Sequence, residues 1–394
     1  MTVICLMLFV TICTLSSAFS IRNSMNRDLR EFCRADFQIH MTKVLDDGEN
    51  VEFTYQNIED VYAAAGEDLT EGFSETLHFA AYGDPSLTLE DSLGDHLEEI
   101  KAQFPYVRFT SKEMLVKVSD HNALCRLYGT NTVELDQDEC IMICNFASMQ
   151  NIRDTALTAG MPVTVFGNTL HSKYDKCQDG FIEIGAQASN MGIYIVPDAV
   201  VDENNRICDY FVGNYAADNE EQRYQAENDQ RTRSKIVLNG WKEQHPDTEL
   251  YCIVNTKYDI YDGTIGVGAM VTFLGLYIGL VFLIACGAIL ALKQLSESVD
   301  SIGRYEMLRK IGAEDRDISN SLFWQTGIFF LLPLLLAIIH SVFGMKFAGH
   351  ILELIGTQRV SASIASTSVI LLVIYGGYFL ITYYCSKGII KERK

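Results

Sequence analysis

Four long apolar runs mark the chain, one at its start and three in its last third. Val3 to Phe19 is 17 residues without a charge, at the lower limit for a spanning helix. Thr264 to Leu292 is a charge-free run of 29 residues, long enough to tilt in a bilayer. Ser321–Phe343 follows, with Pro333 as an expected kink, and then Ser361–Cys385 with Gly376 and Gly377 between Tyr375 and Tyr378. Between the first two runs the pattern is mixed. Ile21 to Asp36 reads as a helical stalk, and Phe37 to Val44 alternates like a strand. Leu115–Val118, Glu139–Cys144, Pro162–Phe166, Phe181–Ile184, Gly192–Val196, Ile207–Val212 and Leu250–Thr256 read as strands. Ser92–Gln103, Ser148–Ala159 and Asp218–Glu243 read as helices, the last as a solvated surface element.

This patterning predicts a membrane protein of four transmembrane helices in a 1+3 arrangement, with a large extracellular α+β domain between the first and second. The expected layout is a first span over 1–19 and an α+β domain with its stalk over 20–262. A second span over 263–292, a cytoplasmic coupling segment over 293–320 and a third span over 321–343 come next. A short external loop over 344–360, a fourth span over 361–385 and a cytoplasmic tail over 386–394 close the layout. Ser16-Ser17-Ala18 also resembles a signal-peptide cleavage site, but no Lys or Arg precedes the first run, which favours a membrane helix. Gly275 and Gly279 have the small-xxx-small spacing that lets membrane helices approach closely, although glycine is common in such helices anyway.

Orientation follows from Lys and Arg. Five stand between Lys293 and Asn320 and four in the tail, against two, Lys346 and Arg359, between Gly344 and Val360. The first two segments are therefore read as cytoplasmic and the α+β domain as external. Arg22, Arg27, Arg30 and Arg34 run against this count, but long domains translocate largely regardless of such charge.

The short polar stretch Ser301–Gly312, SIGRYEMLRKIG, lies between the second and third runs. Ile302, Tyr305, Leu308 and Ile311 recur every three residues, which places them on one helical face; Ser301 suits an N-cap and Gly312 a left-handed end. Glu306 and Lys310 stand four apart and are expected to pair. Such a helix either docks on a soluble partner or lies on the lipid headgroups, and the pattern leaves both readings open.

The net charge of −20 is unevenly spread. Residues 1–262 carry 43 Asp and Glu against 20 Lys and Arg, and residues 263–394 carry 8 against 11. Val51 to Ile100 holds 13 acidic residues and no Lys or Arg, which excludes nucleic-acid binding and suits cationic ligands. Cys33, Cys125, Cys140, Cys144, Cys177, Cys208 and Cys252 lie in the acidic region at spacings that suggest no disulfide framework or metal site. There is no GxxxxGK(S/T), GxGxxG, HExxH, CxxC or GxSxG, and His78 and His96 sit loosely among carboxylates. The spans hold no Asp, Glu, Lys or Arg, which disfavours an ion relay. No catalytic residue, cofactor or metal is expected, and an energy source would come from another polypeptide.

The 1+3 topology and the segment Leu292–Ile318 together resemble the FtsX/MacB superfamily of ABC permeases. The carrying residues are Tyr305, Leu308, Arg309, Ile311 and Gly312, an aromatic-xx-Leu-Arg-x-Ile-Gly core, and the wording LKQLSES…RYEMLRKIG is most similar to BceB-type permeases. The resemblance implies a permease subunit of the Gram-positive plasma membrane and no enzymatic activity of its own. Its cytoplasmic ATPase dimer would push the coupling helix and so move the external domain by mechanotransmission, in antimicrobial-peptide resistance or cell-envelope processes. It further implies that Tyr305, Leu308 and Ile311 fill a groove on the ATPase with Arg304, Arg309 and Lys310 on its rim. BceB-type permeases carry six more helices ahead of the part resembled, so a split or truncated half working with a second permease half or copy is expected. Membrane lipid and a sensor histidine kinase are further expected partners. The competing reading is a membrane-anchored external sensor that signals to a histidine kinase.

Overall fold

The computed structural model describes residues 2–46, 51–93, 97–103, 109–246, 249–353 and 364–391. It divides into one unit of Arg27–Thr264 and another of Met1–Asn26 with Ile265–Lys394. Helix α1 (Thr2–Phe32) opens the chain and contributes to both.

Within Arg27–Thr264 the strands are β1 (Phe37–Asp46), β2 (Val51–Tyr55), β3 (Phe73–Tyr82), β4 (Met114–Lys117), β5 (Glu139–Ile143), β6 (Val163–Val165), β7 (Asn168–Ser172), β8 (Ile193–Val196), β9 (Arg206–Tyr215) and β10 (Glu249–Thr256). Among the described residues they form one ten-stranded sheet ordered β10-β1-β9-β3-β4-β8-β5-β7-β6, with β2 on β1. Only β4–β8 and β5–β7 pair in parallel. The helices are α2 (Ile58–Ala64), α3 (Leu89–Leu93), α4 (Leu97–Gln103), α5 (Val118–Tyr128), α6 (Ala147–Thr158) and α7 (Glu220–Gln244).

The centre of the sheet is buried on both faces, which is why its strands are apolar throughout. Val116, Ile141, Ile143, Ile193 and Ile195 join one core with Leu124 and Tyr128 of α5. Their neighbours Leu115, Met142, Tyr194 and Val196 join a second core on the opposite face. Phe37, Ile39 and Met41 of β1 pack with Ile58, Val61 and Tyr62 of α2 and Val237 of α7.

Two expectations need correction. Phe181–Ile184 is not a strand. Its apolar side chains reach the core while its backbone serves side chains: Ile182 O accepts from Gln38 and Tyr128, and Ile184 N donates to Gln38 Oε1. Of the expected helix Ser92–Gln103, the described residues are helical, Ser92 and Leu93 in α3 and Leu97–Gln103 in α4, and 94–96 lie outside the described residues. Finally, α7 is not simply solvated, since Glu227, Gln230, Ser234 and Val237 bury one face of it.

His78 of β3 is clamped between carboxylates. Its Nε2 lies 2.7 Å from buried Asp209 of β9 and its Nδ1 lies 3.2 Å from Glu59 of α2. Asp209 also accepts from Tyr55 OH and from the N–H of Ile58. Burial pulls the imidazole pKa down, but the hydrogen bond and charge of Asp209, aided by Glu59, outweigh it and leave the pKa above its ordinary 6.5. A raised folded pKa gives stability that is full below the unfolded value and lost as pH rises through the folded one. Thermal midpoints of the wild type and His78→Gln are therefore expected to converge as pH rises above 6.5. A gap that stays constant across that range would contradict the clamp.

In the other unit α1 packs with α8 (Lys257–Asp300), α10 (Asp315–Glu353) and α11 (Ile364–Lys391), and the short α9 (Ile302–Lys310) joins α8 to α10. Among the described residues α1, α8, α10 and α11 are each long and apolar enough to cross a membrane. The third run thus continues as helix beyond Phe343 to Glu353, and 354–363 lie outside the described residues. Ile4, Leu8 and Ile12 of α1 share one core with Leu283, Cys286 and Leu290 of α8, Phe330 and Ala337 of α10 and Tyr375 of α11. Removing α1 as a cleaved signal would strip the bundle of that packing.

Small residues set how closely the helices approach. A Cβ built on Gly275 would collide with Ala18 and meet Thr14 O at 3.3 Å, and one on Gly279 would lie 2.6 Å from Leu15. Gly344 of α10 faces Phe9 of α1 in the same way, at 2.8 Å. Tyr375 OH donates to the carbonyl of Phe330, three residues ahead of Pro333, which lies inside α10.

Candidate functional site

Helix α9 is built by its two ends. At the C-terminal end Gly312 has φ +98°, a left-handed conformation that favours glycine. Its N–H donates to Arg309 O at 3.0 Å and the N–H of Ala313 to Leu308 O at 3.1 Å, a Schellman motif that satisfies the last carbonyls. The N-terminal end departs from expectation. Ser301 has helical backbone angles and makes no side-chain cap. Its N–H instead continues from α8 by donating to Glu297 O, and its Oγ accepts from Arg304 at 2.8 Å.

The four periodic apolar residues do not share a face. Tyr305 is 8% exposed and packs with Ile318, Leu322 and Ile390 of its own bundle, whereas Leu308 is 41% and Ile311 80% exposed. Each turn of an α-helix takes 3.6 residues, so a three-residue spacing falls back about 60° per step and three steps cross half the helix. Met307, 63% exposed and four residues before Ile311, extends the outward edge. That i, i+4 spacing is the signal that could have found it.

Tyr305 does more than pack. Its hydroxyl donates to Gln325 Oε1 of α10 at 3.1 Å, and Gln325 Nε2 donates to Glu297 Oε1 of α8 at 3.4 Å. Arg309 also turns inward, pairing with Asp315 at 3.0 Å and giving both terminal nitrogens to Ile390 O of α11 at 3.2 Å. These bonds tie α9 directly to α10 and α11, and through Gln325 to α8. Glu306 and Lys310 do not pair with each other; both are exposed. The outward set is therefore Met307, Leu308, Lys310 and Ile311, with Arg304 alongside.

The opposite end of α8 is fixed by α7. Glu227 of α7 is buried, and its carboxylate accepts from Thr256 Oγ1 at 2.5 Å and from the N–H of Tyr258 at 3.1 Å. The N–H of Asp259 donates to Thr256 Oγ1. Two of the donors that a helix start leaves unpaired are thereby satisfied, one by a neighbouring helix. Arg231 of α7 pairs with Asp259, and Tyr258 OH donates to Glu220 Oε2. Beside them Asp36 accepts from Lys257 Nζ and forms an ion pair with Arg223, whose Nε lies 3.3 Å from its carboxylate. None of this was read from the sequence, where Glu227 is one carboxylate in a polar helix.

All eleven cysteines are free. Among the described residues no group of three or more His, Cys, Asp or Glu is placed to hold a metal ion.

No known family profile matches the chain. It is similar to the ABC transporter permease protein YxdM of Bacillus subtilis, at 29% identity over 91 residues, 23% of this chain and 15% of that protein. It is similar to the bacitracin export permease protein BceB of Halalkalibacterium halodurans, at 40% over 70 residues, 18% and 11% of the two chains. With BceB of Bacillus subtilis the identity is 24% over 192 residues, covering 49% of this chain and 24% of that protein. The chain thus matches a quarter or less of the length of each of these relatives. It resembles ABC transporter permeases, BceB-type permeases among them, and with its four spans it is a multi-pass protein of the plasma membrane.

Proposed function

We propose that this chain works as a permease subunit in an ABC transporter. A partner ATPase dimer in the cytoplasm docks on α9, and its ATP-driven closure is passed as motion to the external sheet domain. The observation that carries this reading is α9 itself: a short helix between two spans, bonded inward through Tyr305 and Arg309, with Leu308 and Ile311 left outward. Helix α8 has 44 residues from Lys257 to Asp300, about 66 Å at 1.5 Å per residue. A push on α9 travels along it to the turn held by Glu227, and from there to α7 and the sheet. No substrate need cross the bilayer.

The reading extends to antimicrobial-peptide resistance, because two of the similar permeases are named for bacitracin export and the acidic domain suits cationic peptides. A second permease half or copy and a sensor histidine kinase are the further partners proposed. Leu308→Asp and Ile311→Asp, which place a charge in the outward apolar edge, are each expected to weaken ATPase docking by about 2 kcal/mol, roughly thirtyfold. Peptide resistance should be lost while the protein stays at normal level in the membrane. Full resistance in both variants at wild-type membrane level would refute the docking assignment.

A further inference from the structure

We propose that the crevice between α8 and α10, at the end where α9 joins them, binds a phospholipid with a primary-amine headgroup. The crevice holds about 250 Å³ and is lined by Gln294, Glu297, Gln325, Ile328, Phe329 and Leu332. Gln294 is 1% exposed, and among the described residues neither its Oε1 nor its Nε2 has a hydrogen-bond partner. A buried amide with both ends unpaired is costly, and a cavity beside it is where a partner belongs.

The lining says what that partner is. Ile328 and Leu332, four apart on α10, form the outer wall and are 59% and 56% exposed. On a spanning helix that wall faces hydrocarbon, so the occupant enters from the bilayer and carries an acyl chain. The inner end is polar and of mixed charge. Glu297 gives one oxygen to Gln325 at 3.4 Å and its second has no partner among the described residues, which offers an acceptor to an ammonium. Lys293 Nζ lies 5.5 Å from the centroid of the Phe329 ring, at the rim, where a phosphate would reach it. Gln294 then accepts from the ammonium through Oε1 and donates to a phosphate or ester oxygen through Nε2. A zwitterionic phosphoethanolamine head satisfies all three groups. An anionic phosphoglycerol head leaves Glu297 facing negative charge. Because Gln325 also accepts from Tyr305 of α9, the occupied crevice sits one hydrogen bond from the coupling helix.

The test uses the full-length chain in nanodiscs of phosphatidylglycerol with and without phosphatidylethanolamine. Lipid retained through repeated detergent washing is quantified by mass spectrometry. The wild type should retain phosphatidylethanolamine over phosphatidylglycerol by about tenfold, the worth of one good charge-assisted contact. Glu297→Gln should erase that preference. Gln294→Leu should lower retention by a similar factor while its thermal midpoint holds or rises, since it removes an unpaired amide without changing size much. That midpoint separates loss of the site from loss of the fold. Equal retention of the two lipids overturns the proposal, as does retention that neither variant alters. Two further results overturn it: no lipid retained, which leaves water in the crevice, or a cross-link from this position to a second polypeptide in place of lipid.

Discussion

Replacing Arg153 with leucine is expected to destabilise the sheet unit by about 3–5 kcal/mol, the cost of stranding one member of a buried ion pair. Arg153 and Glu113 are 5% and 3% exposed, and the guanidinium holds both carboxylate oxygens, the one through Nη2 at 2.9 Å. Ser92 Oγ donates to the same carboxylate at 2.5 Å, and Arg153 Nε reaches Met191 O at 3.3 Å. The pair therefore joins α6, α3 and the entry to β8. Gly192 is fitted to it: at φ +135° a Cβ there would come within 2.6 Å of the guanidinium. Burial works against the charge of Arg153, but Glu113 outweighs it and raises the pKa further. A loss of this size is a large share of the 5–15 kcal/mol that holds a typical protein folded. Chemical denaturation of the purified chain checks it, and the double change Arg153→Leu with Glu113→Leu should recover most of the loss. A single mutant as stable as the wild type would contradict the account.

Glu227→Ala is expected to cost about 2–3 kcal/mol, one helix cap together with buried donors left unpaired. It removes the acceptor for Thr256 Oγ1 and for the N–H of Tyr258, and so frees the first turn of α8 from α7. Burial pushes the Glu227 carboxyl up, working against its charge, so the neutral Glu227→Gln should recover much of the loss. Hydrogen exchange at the amides of Tyr258 and Asp259 reads the effect directly. Faster exchange in Glu227→Ala with wild-type rates in the central strands is the expected pattern. Unchanged exchange at Tyr258 would mean that α7 does not hold this turn.

What was legible in the sequence followed the strength of the pattern. The apolar runs gave the spans because hydrocarbon admits little else, and the central strands stood out as short apolar stretches buried on both sides. Strand β3 was missed because its first half, Phe73 to His78, is polar and half exposed, and only Phe79 to Tyr82 is buried. Helix α5 was missed because it starts at Val118, directly after β4 ends at Lys117, with no polar break between them. The coupling segment was legible as an element but not in its facing. Tyr305 looked like a docking residue because a three-residue spacing resembles one face over a single turn; tertiary packing against Ile318, Leu322 and Ile390 turns it inward. The tie between Glu227 and α8 joins residues 29 to 31 positions apart and leaves no periodic trace.

The most direct test of the coupling claim is site-specific photo-cross-linking in the native membrane, with benzoylphenylalanine placed in turn at Leu308, Ile311 and Tyr305. The account predicts adducts from Leu308 and Ile311 to a cytoplasmic chain carrying a GxxxxGK(S/T) loop, identified by mass, and none from Tyr305. An ATPase adduct from Tyr305 alone, or no ATPase adduct from either outward position at normal protein level, would contradict it.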